Sequence, residues 1–286
     1  MNNALVVAEL GVNMNGSLFT AIEMIKKCKA AGADYVKTQT RTVELSIPEA
    51  EWDDMRETPF GEMTKLDYRK RMELSDIDYA QIIKTCQQEG IGWFTSVWDI
   101  PALERMVKFN PPHIKIPSAR VTDLGFLEAC RDCGIPLIMS SGMCTQEELD
   151  RAVNLLSANH SLRYLLHCHS GYPAPIDELN LKYIKTLRRK YQDRVMYFGF
   201  SNHSTSPYPA IYSVLLGADM METHFTLDRA MPGSDQSASL EFHGLELLCR
   251  EAKLIPKELG DGLKRMWPSE LQSRKRLQVF GKENVE

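Results

Sequence analysis

The feature that most constrains this chain is an alternation. Short β-rich apolar runs stand at ALVVAE (4–9), YVKTQ (35–39), GWFTSV (92–97), HIKIPS (113–118), PLIMSS (136–141), YLLHCH (164–169), YFGFSN (197–202) and MMETHF (220–225). Between them lie segments such as TAIEMIKKCKAAG, DYAQIIKTCQQEG and TQEELDRAVNLLS, whose apolar residues recur at helical spacing and several of which close on glycine. Eight strands alternating with helices predict the α/β class and a (β/α)8 TIM barrel over residues 1–262. A doubly wound sheet is the competing arrangement, but no GxGxxG follows the first run and no second half is visible.

Two stretches break the rhythm. Residues 41–73 hold no clear core helix before DYAQII, and connections that long usually build a lid or a wall of a site. Residues 263–286 form a tail that does not read as barrel. The rest of the composition narrows the function. At 43% hydrophobic, 25% charged and a net charge of −4, the chain is an ordinary globular protein with no basic stripe for nucleic acid. No run of 18 uncharged apolar residues predicts a membrane span, and the N-terminus does not read as a signal peptide. Seven cysteines without a disulfide-like framework suit a reducing cytosol, so a cytoplasmic location is expected. Cys130 and Cys133 form a CxxC, but it falls in an amphipathic helix with no second pair at zinc spacing.

In a barrel of this type the active site lies at the C-terminal ends of the strands. Those ends carry Glu9; Lys37 and Gln39; Thr95 and Ser96; Lys115 and Ser118; Ser140 and Ser141; His167 and His169; Ser201 and His203; and Glu222 and His224. Polar groups beside apolar runs are costly unless paired or liganded. Two lysines and several hydroxyls make a receptacle for phosphate and carboxylate. His203 and His224 end neighbouring strands, where two imidazoles suit an open catalytic divalent metal; the plainer alternative is two hydrogen-bonded core histidines. The residues alone therefore point to a metal-assisted enzyme acting on a phosphorylated, carboxylated small molecule.

The strand-end motifs, AELGVNMNGS (8–17), VKTQT (36–40), KIPSA (115–119), SSGM (140–143), LLHCHSGYPAP (165–175), GFSNHS (199–204) and HFTLDRAMPGSD (224–235), resemble in kind and order those of the sialic acid synthase family. That resemblance implies a transferase condensing phosphoenolpyruvate with an open-chain aldose or N-acyl aminosugar. The products would be a 2-keto-3-deoxy sugar acid of nonulosonate type and phosphate, released by C–O cleavage. It implies that Lys37, Ser96, Lys115, Ser118, Ser140, Ser170 and Ser201 hold phosphoenolpyruvate, and that Gln39, Tyr172 and Asp235, with Glu9, surround the sugar. His203 and His224 would bind the metal, usually Mn2+, with Mg2+ and Co2+ as alternatives. The partners are then small molecules, with no nucleic acid and no membrane, and association of the barrel into a homo-oligomer is left open.

Three departures qualify the resemblance. Arg120 stands where the family has an acidic residue, so acid–base work falls to Glu9, with Glu222 a weaker candidate. Arg120 either grips an acidic sugar substituent in the pocket or pairs with Asp123 outside it. Met14, Asn202 and VWD (97–99) also depart from the family pattern, around the metal site and elsewhere. Finally, WPSE (267–270) and KRLQVFGKENVE (275–286) resemble the junction before an antifreeze-like C-terminal domain, which is absent from this sequence. Two other functions compete: synthesis of a shorter 3-deoxy-ulosonic acid, and a degenerate barrel that binds a sugar acid without turnover.

Overall fold

A computed structural model describes residues 4–278; residues 279–286 of the expected tail lie outside the described residues. The strands are β1 (Leu5–Gly11), β2 (Tyr35–Thr40), β3 (Met55–Thr58), β4 (Gly61–Thr64), β5 (Gly92–Val97), β6 (Ile114–Ile116), β7 (Leu137–Ser140), β8 (Leu162–Cys168), β9 (Tyr197–Asn202) and β10 (Met220–His224). All but β3 and β4 close in parallel into one barrel, in the order β1-β10-β9-β8-β7-β6-β5-β2. Around it run α1 (Leu18–Ala31), α2 (Lys65–Met72), α3 (Asp76–Glu89), α4 (Ile100–Val107) and α5 (Leu124–Asp132). They are followed by α6 (Gln146–Ser157), α7 (Tyr183–Tyr191), α8 (Tyr208–Leu215), α9 (Phe242–Leu259) and α10 (Leu271–Leu277). This is the (β/α)8 TIM barrel that the alternation predicts.

Period-two alternation along each strand divides the core in two. Val7, Phe94, Ile138, Tyr164, Leu166 and Met220 point inward and plug the lower barrel. Their neighbours, such as Val6, Ala8, Val36 and Leu165, face the helices and join the larger outer core. Two residues beyond the plug on the same inward faces come Glu9, Ser96, Ser140, Cys168 and Glu222. The site is therefore the polar upper layer of the barrel interior.

The structure differs from the sequence expectation in two places. Residues 41–73 are not a bare loop but carry the antiparallel hairpin β3–β4 and helix α2. The helix is capped by Thr64, whose hydroxyl accepts from the Asp67 N–H at 3.0 Å. It escaped detection because only Tyr68 and Met72, four residues apart, turn inward from a sequence that is otherwise mostly charged. The fourth barrel strand is also shorter than HIKIPS. Pro117 has no N–H to give to a ladder, and Ser118–Arg120 turn into a 3-10 helix. The tail beyond Gly260 is exposed throughout its described length. No described helix is long and apolar enough to cross a membrane.

Candidate active site

Twelve of the fourteen residues singled out above line one cavity of about 140 Å³ at the C-terminal end of the barrel. They are Glu9, Lys37, Gln39, Ser96, Lys115, Ser118, Ser140, Ser170, Tyr172, Ser201, His203 and His224. Strand register explains the grouping. Glu9 pairs in register with both Lys37 and His224, Ser96 with Lys115, and Ser201 with Glu222.

Electrostatics organise the floor. Lys37 and Lys115 are 3% and 2% exposed, so each ammonium needs a counter-charge. Glu222 supplies it to both, with Lys115 at 2.7 Å and Lys37 at 3.6 Å, and accepts from the Ser201 hydroxyl at 3.2 Å. Lys37 also pairs with Glu9 and donates to Ser96 Oγ at 2.5 Å. Burial, only partly offset by Glu222, brings the Lys37 pKa down from 10.5 to about 7. Burial would raise Glu222, but the two lysines outweigh it and hold the carboxyl at about 2. An acid held so low stays ionised, which makes Glu222 the clamp between the lysines rather than a proton carrier. Glu9 is the remaining acid–base candidate, since its Oε1 is buried without a hydrogen-bond partner.

On the β6–β8 side, Ser118 Oγ accepts from the Gly142 N–H at 3.1 Å, and Ser140 Oγ is buried and unpartnered. Any side chain at position 142 would press on Ser118 Oγ, at 2.8 Å from the added Cβ, so only glycine lets that backbone donor approach. Backbone N–H, hydroxyls and lysines thus converge on a space with an anion's requirements.

The opposite wall is a different environment. His203 Nδ1–H donates to the His169 carbonyl at 2.7 Å, which leaves the Nε2 lone pair to accept from the Tyr172 hydroxyl at 2.8 Å. The His203 and His224 rings are 5.5 Å apart. Burial, reinforced by His203 and Lys37 against the pull of Asp235, lowers His224 to about 4, so its ring is neutral at physiological pH. Its Nδ1 has no hydrogen-bond partner. At Gly11, where φ is +53° and the β1–β2 register shifts, an added Cβ would lie 3.3 Å from both His224 Nδ1 and Glu9 Oε1 and 3.4 Å from Gln39 Nε2. Two orphaned buried acceptors and an amide donor thus surround one small space. The His224 imidazole and the Glu9 carboxylate there, with the His203 ring 5.5 Å from that of His224, are ligand types that a divalent cation of Mn2+ type accepts, its remaining positions being left to substrate and water. Among the described residues no group of three or more His, Cys, Asp or Glu side chains is placed to hold a metal ion.

The two remaining residues lie elsewhere. Arg120 does not line the cavity. It pairs with Asp123, the N-cap of α5, and lies over the Phe126 ring at 5.1 Å, which corrects the reading that it faces the pocket. The 3-10 turn after Pro117 carries its side chain outward while Ser118 stays inside. Asp235 stands behind the wall, 3.8 Å from His224 Nδ1. Of the other strand-end groups, His167 faces α7 and donates Nε2–H to the Leu179 carbonyl at 2.7 Å, and His169 Nε2 pairs with Glu178 at 2.9 Å. Met14 belongs to the apolar core. Asn202 clasps its own loop through Ser204 and Ser206 rather than supporting the metal site. Trp98 and Cys168 line the cavity and were not anticipated as site residues; both continue the inward alternation of their strands, two residues after Ser96 and Leu166. Burial would raise the Cys168 thiol, but His203 and Lys115 bring it down to about 7.

Known proteins resemble this chain over most of its length. The chain is 32% identical over 275 residues to the N,N'-diacetyllegionaminic acid synthase of Campylobacter jejuni subsp. jejuni serotype O:2, covering 94% of this chain and 81% of that protein. It is 29% identical over 277 residues to the human N-acetylneuraminate-9-phosphate synthase, covering 95% and 76%. Among solved structures, the N-acetylneuraminic acid synthetase of Leptospira borgpetersenii serovar Hardjo-bovis, in complex with citrate, superposes with a TM-score of 0.82 at 28% identity over 97% of this chain and 93% of that one. A truncated 3-deoxy-D-arabino-heptulosonate 7-phosphate synthase from Thermotoga maritima shares the fold, with a TM-score of 0.66 at 13% identity. The NeuB family profile matches residues 24–264, and with that match and these relatives the chain belongs to the NeuB family.

Proposed function

We propose that this protein condenses phosphoenolpyruvate with an open-chain aldose or N-acyl aminosugar, giving a nonulosonate-type 2-keto-3-deoxy acid and phosphate. The observation that carries the reading is the pair Lys37 and Lys115, buried and clamped by Glu222 beneath a ring of hydroxyls. Two buried ammoniums in one small cavity have little structural use without an anion to hold.

In the reaction, C3 of phosphoenolpyruvate bonds to the aldehyde carbon, whose oxygen takes a proton. Water adds at C2, losing a proton, and the C2–O bond breaks to release phosphate. Lys37 and Lys115, with Ser96, Ser118, Ser140, Ser170, Ser201 and the Gly142 N–H, hold the phosphate and carboxylate before charge moves, so little reorganisation is needed. Glu9 Oε1 faces the sugar side and is the group positioned to hold or pass the moving proton. Gln39 and Tyr172 orient the sugar, and Asp235, outside the cavity and 3.8 Å from His224 Nδ1, positions that imidazole. His203 and His224 would hold the cation, proposed as Mn2+, which when bound supplies Lewis-acid polarisation of the aldehyde. The small-molecule partners and the cytoplasmic location belong to this same reading.

The test is phosphate release on mixing the protein with phosphoenolpyruvate, Mn2+ and a panel of N-acetylmannosamine, mannose and arabinose. Release with an N-acyl hexosamine supports a nonulosonate product, and preference for arabinose would favour a shorter 3-deoxy-ulosonate. Phosphoenolpyruvate binding with no release across the panel would indicate a binding barrel instead.

A further inference from the structure

The insertion at 41–73 builds a second cleft, of about 210 Å³, against the mouth of the barrel. Arg56 and Arg69 line it, with Tyr68 and Met72 from the insertion, Val12 from the end of β1, and Gly233 and Ser234 from the loop after β10. Its charge balance is unusual. Arg41, Arg56 and Arg69 lie close together, and Arg41 alone is neutralised, by Glu73 at 3.0 Å. Among the described residues neither Arg56 nor Arg69 has a carboxylate within ion-pairing distance. The Arg56 guanidinium carbon lies over the Tyr68 ring, 4.7 Å from its centre, an arrangement that leaves the guanidinium N–H groups available to a ligand. Burial, then the neighbouring Arg41, push the Arg69 pKa below its ordinary value, and Glu73, itself paired with Arg41, offsets this only in part. Ser234 adds a hydroxyl, which donates to Asp235 at 2.6 Å; Asp235 itself turns toward His224 and does not line the cleft.

The cleft also adjoins the sugar side of the active site. Val12 directly follows Gly11, beside which Glu9, His224 and Gln39 converge, and Ser234 directly precedes Asp235. Adjacent residues are about 3.8 Å apart, so the two spaces are separated by one residue step on each of two segments. Asn15 ties those segments together by donating to the Pro232 carbonyl at 3.0 Å.

We infer that the Arg56–Arg69 cleft is a binding site for a phosphate-type anion, either the phosphorylated far end of the acceptor sugar or free inorganic phosphate. Two planar guanidiniums offer only donors, in the fork geometry that a phosphate accepts. The sugar arm rests on the synthase reading, whereas the binding itself is read without turnover.

The test is calorimetric titration of the full chain, saturated with phosphoenolpyruvate and kept metal-free with EDTA, using mannose 6-phosphate, mannose and inorganic phosphate. Mannose 6-phosphate is expected to bind at least tenfold tighter than mannose. Arg69→Gln and Arg56→Gln should each remove that preference, whereas Arg71→Gln, outside the cleft, should keep it. Inorganic phosphate much weaker than mannose 6-phosphate assigns the site to the sugar's end; equal affinity assigns it to the free anion. Arg56 is exposed on a hairpin, so its variant remains folded even if Arg69→Gln does not. No preference for the phosphorylated sugar together with no phosphate binding, or a preference that survives both substitutions, overturns the inference. Failure to release phosphate in the synthase assay would leave this result intact and count only against the reaction.

Discussion

Glu222→Gln probes the element on which the anion site is built. The wild-type carboxylate lies 2.7 Å from Lys115 and 3.6 Å from Lys37, all three buried. Even with it present, Lys37 titrates at about 7 instead of 10.5, equivalent to roughly 5 kcal/mol against its charged form. Removing one member of a buried ionic cluster typically costs about 3–5 kcal/mol, because the remaining charges lose compensation. In a chain of this size that is a fall in Tm on the order of 10 °C. The pH dependence gives a sharper signature. A lysine whose folded pKa is depressed weakens the fold while it is protonated, fully below about pH 7, and progressively less as pH rises toward 10.5. The variant deepens that depression, so its deficit should be largest at pH 5–7 and shrink by pH 9, where Lys37 is neutral; these bounds follow from the same linkage. Thermal unfolding of both proteins across that range is the assay. A loss below about 2 °C, or one that does not vary with pH, would refute the clamp, since a structural carboxylate with no charge role would give a uniform change.

Other consequences arise from the same geometry. Gly11→Ala places a methyl 3.3 Å from Glu9 Oε1 and His224 Nδ1 at a φ of +53°; turnover should fall at least about a hundredfold while stability falls by about 1 kcal/mol, and phosphoenolpyruvate affinity measured by titration should stay within threefold. Arg120→Ala should leave both Michaelis constants unchanged and lower stability by about 1 kcal/mol, because its half-buried pair with Asp123 is outside the cavity; a tenfold rise in either constant would return Arg120 to the site. The kcat/KM for phosphoenolpyruvate reports the free enzyme, so it should decline as pH rises through about 7 while Lys37 loses the proton that binds the anion; a flat profile to pH 9 would contradict that assignment.

Much of this site was legible in the sequence, for a definite reason. Barrel strands put every second side chain inward and every strand end on one rim, so Lys37, Lys115, His203 and His224 meet although up to 187 positions separate them. What escaped the sequence depended on groups whose direction is set locally. Alternation from inward-facing Lys115 would aim both Ser118 and Arg120 outward with Ile114 and Ile116, but Pro117 ends β6 and the 3-10 turn brings Ser118 back to the cavity while Arg120 stays outside. Glu222 reads as a spare acid until its two ammonium partners are seen at 2.7 and 3.6 Å. Helix α2 and the β3–β4 hairpin were hidden because they bury little and pack as a wall over the barrel mouth, so apolar periodicity carries almost no signal there.

The most direct test of the proposed chemistry uses phosphoenolpyruvate labelled with 18O at the bridging ester oxygen, incubated with Mn2+ and whichever sugar of the panel supports turnover. Mass spectrometry of the released phosphate gives the answer. Condensation with C–O cleavage predicts that the label leaves with inorganic phosphate. Label retained in the keto acid, with phosphate gaining its new oxygen from water, would mean P–O cleavage and contradict the account.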